Sequence, residues 1–286
     1  MRVKIAVVTD STAYLPEDLR KRLQIHIVPL AVTIDGQDYD EEIDLTSKEF
    51  YEKVRGDGPL PKTSQPSVGQ FAAKFNELKD AGAEGIVSIH LSSGISGTYT
   101  GAVQAGELAE TLDVRVFDSE ISCYLQGFYA IRAAELAQAG ASMSDIMSEL
   151  AEMKQTMRAY FMVDDLSHLQ RGGRLSSAQA LIGGLLQVKP ILHFVDKVIV
   201  PFEKIRTRKK AMKRIADMLA EDAIKMPLEA SIIHGNQPEE AEFWLAELSE
   251  RLPDVKFTIS HFGPVIGTHL GEGAMGLGWV KRKMNN

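Results

Sequence analysis

Three short hydroxyl-rich runs hold the residues best suited to chemistry. HLSSGISGTYTGA (His90–Ala102) sets Ser92, Ser93, Ser96 and Thr98 among Gly94, Gly97 and Gly101, with no Lys or Arg. TSQPS (Thr63–Ser67) puts Thr63 and Ser64 just ahead of a helix start, where free N–H groups and the helix dipole favour negative charge. TDST (Thr9–Thr12) closes the first apolar run. Each also has a plain reading, as a capping turn or helix entry in which side-chain oxygens satisfy backbone donors. Hydroxyls and amides without a cation neutralise a polyphosphate poorly, but two or three of them hold a single carboxylate. The G-x-x-x-x-G-K-[ST] spacing of a nucleotide phosphate loop is absent. GISGT also misses the G-x-S-x-G spacing of a nucleophile elbow by one position. The chemistry expected is recognition of a monoanion.

Further candidates lie in the second half. GPVIGTHLGEGAMGLGW (Gly263–Trp279) has six glycines and reads as a loop that permits close backbone approach, carrying Thr268, His269 and Glu272. LQRGGRL (Leu169–Leu175) sets Arg171 and Arg174 around a glycine pair, able to bind an anion or to decorate an exposed turn. KIRTRKKAMKR (Lys204–Arg214) gathers seven basic residues. With Thr207 as cap, Arg208, Lys209 and Lys210 fall in a first helical turn, against the helix dipole. That placement suits a phosphate-bearing or acidic partner, the alternative being a solvated helix face. Cys123 reads as a small buried residue at a helix start, and no histidine spacing matches a metal motif, so no metal is expected.

These runs need elements to hold them. Val3–Asp10, Ile25–Ile34, Gly85–His90 and Val114–Ser119 read as strands. Val68, Phe71, Phe75 and Leu78 recur at helical spacing behind a Ser67/Gln70 capping box, and helices are predicted over Leu125–Gln138 and Ser144–Thr156. This alternation predicts an α/β fold with a mainly parallel sheet and helices on both faces. From about residue 160 the strand candidates are Ala159–Val163, Ile191–Val195, Val198–Phe202, Ala230–His234 and Lys256–Ser260, with a tight hairpin at Asp196–Lys197. The expected organisation is an N-terminal α/β domain, 1–160, and a C-terminal α+β domain, 161–286, with a largely antiparallel sheet. At 286 residues, 44% hydrophobic and 25% charged, the composition is globular. The net charge of −7 argues against nucleic acid, and one cysteine excludes an internal disulfide. No signal-like or membrane-spanning run is present in the sequence, so a cytoplasmic protein without membrane integration is expected.

Taken in order, TDSTAYL, TSQPS, SSGISGTY, FDSEISCYLQG, LQRGGRLS, KPIL, RTRKKA and GPVIGTHLGEGAMGLGW resemble the DegV family along the whole chain. That family includes the fatty-acid-binding subunits, called FakB, of bacterial fatty acid kinase. The resemblance implies two α/β domains with an acyl chain buried between or within them. It also implies a subunit that is not the catalyst, since a separate kinase phosphorylates the bound carboxylate with ATP and magnesium. Position by position, the resemblance implies Thr63 and Ser64 at the carboxylate, Ser96 with Ser93 beside it, and His269 with Thr268 beside it. Arg171, Arg174, Arg206, Arg208 and Lys209 look like the kinase-facing side. Cys123 and Tyr124 stand where small or polar residues are expected, and Leu270 and Glu272 where the family often has Thr and Pro. An inward Glu272 would weaken an anion site. The leading expectation is therefore a long-chain fatty acid as ligand, a kinase as partner, and no other cofactor. The rivals are a self-sufficient hydrolase or transferase built on Ser96 and His269, and a binding module for another small carboxylate.

Overall fold

The structure, a computed structural model, describes residues 4–56, 58–109, 111–175 and 189–283. Val3 of the expected first strand and Ser176 of the LQRGGRLS run lie outside the described residues. Strands β1 (Ile5–Asp10), β2 (Ile25–Val28), β6 (Gly85–His90) and β7 (Asp113–Asp118) form a parallel sheet in the order β2-β1-β6-β7. Every residue of β6 is buried, as a central parallel strand requires. Helices α3 (Val68–Asp80) and α4 (Thr98–Leu108) cover one face, where Phe71, Phe75 and Ala102 pack on Val8 and Ile86. On the other face lie α1 (Glu17–Leu23), α5 (Cys123–Ala139) and α6 (Met143–Thr156). The Ser67/Gln70 capping box that opens α3 is fully formed.

The single strand expected over Ile25–Ile34 is two strands in different sheets. Pro29 has no N–H for a ladder, and the chain breaks there. Beyond it β3 (Ala31–Ile34) turns at Asp35-Gly36, with φ of 51° and 83°, into β4 (Gln37–Asp40). After α2 (Ser47–Lys53), β5 (Lys62–Ser64) pairs with the other edge of β3, with Thr63 opposite Val32. This small antiparallel sheet is what positions Thr63.

Among the described residues, the strands from Arg158 onward form a second, six-stranded sheet in the order β10-β9-β8-β13-β11-β12. Its members are β8 (Arg158–Met162), β9 (Lys189–Val195), β10 (Val198–Ile205), β11 (Leu228–His234), β12 (Lys256–His261) and β13 (Met275–Lys281). Only β11 and β12 run parallel. The expected hairpin at Asp196-Lys197 is present, both residues in the left-handed region at φ 46° and 73°. The outer face of this sheet is covered by α8 (Arg208–Ala223), capped by Thr207, and by α9 (Pro238–Arg251). The inner face meets α5, α7 (Ser167–Arg171) and α10 (Pro264–Leu270). Gly263–Trp279, expected as a loop, is instead α10 followed by β13. Met275, Leu277 and Trp279 face outward under α8 and α9, while Gly276 and Gly278 alternate with them on the inner face.

A buried acid joins the small sheet to α10. Glu41, wholly inaccessible, accepts from Ser11 Oγ at 2.5 Å, Tyr14 Oη at 2.8 Å and the Val265 amide at 2.7 Å. Burial raises its pKa from 4.5 to about 8, against the lowering effect of those donors. The fold therefore keeps a proton that the unfolded chain releases. The contribution is fully present below the unfolded value and is lost as the pH climbs from about 4.5 through about 8. Glu41→Gln copies the neutral form, its Oε1 meeting Tyr14 and Val265 and its amide meeting Ser11. Urea unfolding at acid, neutral and alkaline pH is expected to show the variant gaining on the wild-type protein as pH rises. A stability difference independent of pH would refute the assignment.

Candidate functional site

In a parallel sheet, ligands sit beyond the carboxyl ends of the strands where the strand order switches. Here that point lies between β1 and β6, which end in TDST and in LSSGISG. The loop after β6 is fastened from below by Asp10. Its carboxylate accepts from the Leu91 amide and His90 Nδ1, each at 3.0 Å, and from the Thr12 amide and hydroxyl at 3.1 and 2.5 Å. Burial alone would raise the Asp10 pKa, but His90, Thr12 and Gln126 together hold it below the ordinary value. His90 Nε2 in turn lies 2.7 Å from Ser88 Oγ. This is a Ser–His–Asp chain, yet all three residues are fully buried and no substrate can reach the serine. It braces the loop.

The second sheet closes the loop from above. Ser92 Oγ donates to the Lys197 carbonyl at 2.6 Å, and a Cβ on Gly94 would fall 2.3 Å from that same oxygen. Gly94 is thus required by the abutting hairpin turn. Lys197 Nζ reaches Asp118 at 3.0 Å, and Asp118 accepts from Ser93 Oγ at 2.6 Å.

Between this loop, β5, α10 and the inner face of the second sheet lies a cavity of about 260 Å³. Two of its polar residues are linked directly. Thr63 Oγ1 and His269 Nε2 are 2.9 Å apart, and Ser64, Gln65 and Ser96 line the same space. Burial, then Arg174 and His168, push the His269 pKa down to about 4, so the ring is neutral at physiological pH. His269 Nδ1 is buried with no hydrogen-bond partner among the described residues. A Cβ on Gly172 would lie 2.3 Å from it, so the RGG turn is shaped to the imidazole. Most of the rest of the lining is apolar and includes Leu91, Leu125, Phe161, Phe194, Ile199 and Ile266. Thr63, Ser64, Ser96 and His269 therefore share one cavity.

Other candidates lie elsewhere. Ser93 is spent on Asp118, and Thr268, which donates to the Pro264 carbonyl at 2.8 Å, faces away from this cavity. Glu272 points outward, paired with Arg55 at 2.7 Å and with Asn236 at 2.7 Å, so it does not oppose an anion in the cavity. Cys123 does line the cavity; burial lifts its thiol to about 12, and it sits at the start of α5 with φ 63°. Arg174 corrects the expectation of a site free of formal cations, for it also lines the cavity. It donates to the Ile95 carbonyl at 3.2 Å and the Gly172 carbonyl at 2.6 Å. Arg208 is half-buried and tied to neighbouring elements, bound to Glu240 at 2.6 Å and to the Gly273 carbonyl at 2.6 Å. Arg171, Arg206 and Lys209 are exposed, Arg171 folding back on Ser167. Among the described residues no cluster of three or more His, Cys, Asp or Glu side chains could hold a metal ion, and no helix is long and apolar enough to cross a membrane.

The model of a family described as uncharacterised DegV proteins matches residues 4–282. The chain belongs to the DegV family. Protein DegV of Bacillus subtilis is 59% identical to it over 279 residues, 97% of this chain and 99% of that protein. A crystal structure of DegV from the same organism, described as a fatty acid binding protein, superposes with a TM-score of 0.93 at 58% identity, covering 98% and 100% of the two chains. A DegV family protein from Thermus thermophilus, described by its fatty acid binding, gives a TM-score of 0.91 at 32% identity over 98% and 100%. The two sheets described above are thus the DegV fold.

Proposed function

We propose that this DegV protein binds a long-chain fatty acid and presents its carboxylate to a separate ATP-dependent kinase for acyl-phosphate formation, without being the catalyst itself. The observation that carries the reading is the contact of Thr63 with His269 in a cavity whose remaining walls are mainly apolar. Fatty acid binding by the solved relatives supports the same ligand. Burying an acyl chain gains ~0.8 kcal/mol per methylene, so the head group needs no strong cationic clamp. Mainly neutral donors leave the carboxylate nucleophilic, whereas a tight ground-state ion pair would bind without helping transfer. Two domains meeting near residue 160 with the ligand at their interface, a FakB-like role and a cytoplasmic location belong to this reading. So does a kinase-facing surface, now carried by exposed Arg171, Arg206 and Lys209 rather than by Arg208. The hydrolase alternative is less favoured, since His269 Nε2 lies 2.9 Å from Thr63 Oγ1 while the Ser96 hydroxyl contacts Thr98 at 2.8 Å.

The test has two arms. Denaturing extraction of protein purified from lipid-replete cells is expected to release long-chain acid detectable by mass spectrometry; an empty extract counts against the ligand. With the cognate kinase, ATP and magnesium, acyl phosphate is expected only when both proteins are present. Lys209→Glu is expected to slow that reaction while leaving acid binding unchanged, and full activity of the variant would remove the docking surface.

A further inference from the structure

We propose that Leu125, resting on the bare Cα of Gly278, is the floor of the cavity and sets the longest acyl chain this protein accepts. The proposal rests on the fatty-acid reading above. Both residues line the cavity. A Cβ on Gly278 would fall 2.2 Å from Leu125 Cδ1 and 2.6 Å from the Arg158 carbonyl, so the side chain sits where only glycine leaves room.

The strand register gives the depth. Strand β13 begins at Met275, beside His234 and one turn beyond α10, which carries His269. Along its inner face come Gly276, opposite Phe161, and then Gly278, opposite Ala159. All four line the cavity. The next inward residue, ~7 Å further along the strand, is Val280, fully buried in the core and no part of the lining. The cavity thus stops one strand repeat short of solid core, at the level of Leu125. Behind that level, Tyr124 and Phe128 of the same helix line a separate outer groove with Lys256, Thr258 and Lys281. Leu125 is the partition between the two spaces.

A floor acts sterically. Each methylene added to the ligand gains about fourfold in affinity while it still finds apolar wall, and the first one that overfills the slot reverses the trend. The measurement is displacement of a fluorescent acid by saturated acids from lauric through behenic, on the wild-type protein and on Leu125→Val and Leu125→Ala. The wild-type series is expected to climb and then break. The break should move one carbon longer in Leu125→Val and two or three in Leu125→Ala, about tenfold or more in affinity for the first acid beyond the wild-type limit. Melting curves establish that the variants are folded, and Leu125→Val, which removes one carbon, carries the test should Leu125→Ala not fold. A break that stays in place in a folded variant overturns the floor. Failure of the wild-type protein to bind any acid of the series overturns the fatty-acid reading instead.

Discussion

A single methyl group at Gly172 is expected to cost roughly 10- to 100-fold in fatty acid affinity, the range of one hydrogen bond to a charged group. The backbone there, at φ −73°, accepts alanine without strain, so the effect isolates one contact. The new Cβ would lie 2.3 Å from His269 Nδ1 and 3.1 Å from the His168 carbonyl. The carbonyl belongs to the α7 backbone, so the imidazole must yield and its 2.9 Å approach to Thr63 is lost. Calorimetric titration of wild type, Gly172→Ala, His269→Ala and the double variant forms a closed cycle. If both substitutions act on the same imidazole, the double variant loses no more than His269→Ala alone. Additive losses would show that Gly172 acts elsewhere, and an unchanged affinity in Gly172→Ala would remove His269 from the head group.

The second large effect falls on stability. Asp10→Ala is expected to lower the unfolding free energy by about 3–5 kcal/mol, the cost of breaking a buried charged network from one side. It strands His90 Nδ1 and the Leu91 and Thr12 amides in a region closed to water. Asp10→Asn keeps one acceptor oxygen and is expected to lose less. Because the folded pKa is depressed, the contribution of Asp10 is present above the unfolded value of 3.8 and is lost as the pH falls through the lowered value. Urea denaturation at neutral pH tests the magnitude. A loss below about 1 kcal/mol, the usual size for a surface substitution, would mean that the network does not hold the loop.

The parts of this molecule legible in the sequence are those whose signals are local. The Ser67/Gln70 box, the buried run Gly85–His90 and the Asp196-Lys197 turn each lie within a few residues, and each formed where predicted. In Ile25–Ile34 apolar content alone does not reveal the change of sheet; Pro29 and the Asp35-Gly36 turn are the local signals of it. Gly263–Trp279 misled in a different way. Glycines usually mark loops, but here Gly276 and Gly278 recur at the strand period beside Met275, Leu277 and Trp279, and that alternation spells a strand with one bare face. At the site, Thr63 and His269 are 206 residues apart, and only the fold makes them neighbours. The inward turn of Arg174 and the internal ties of Arg208 depend on carbonyls and carboxylates brought in from distant segments, which no spacing rule reports.

The abutment of Gly94 on the Lys197 carbonyl ties the loop after β6 to the second sheet beside a cavity whose wall both supply. A molecule filling the space would touch residues of both sheets at once. A loaded copy is then harder to prise open than an empty one, because the energy of holding the cargo must be surrendered before the halves can part.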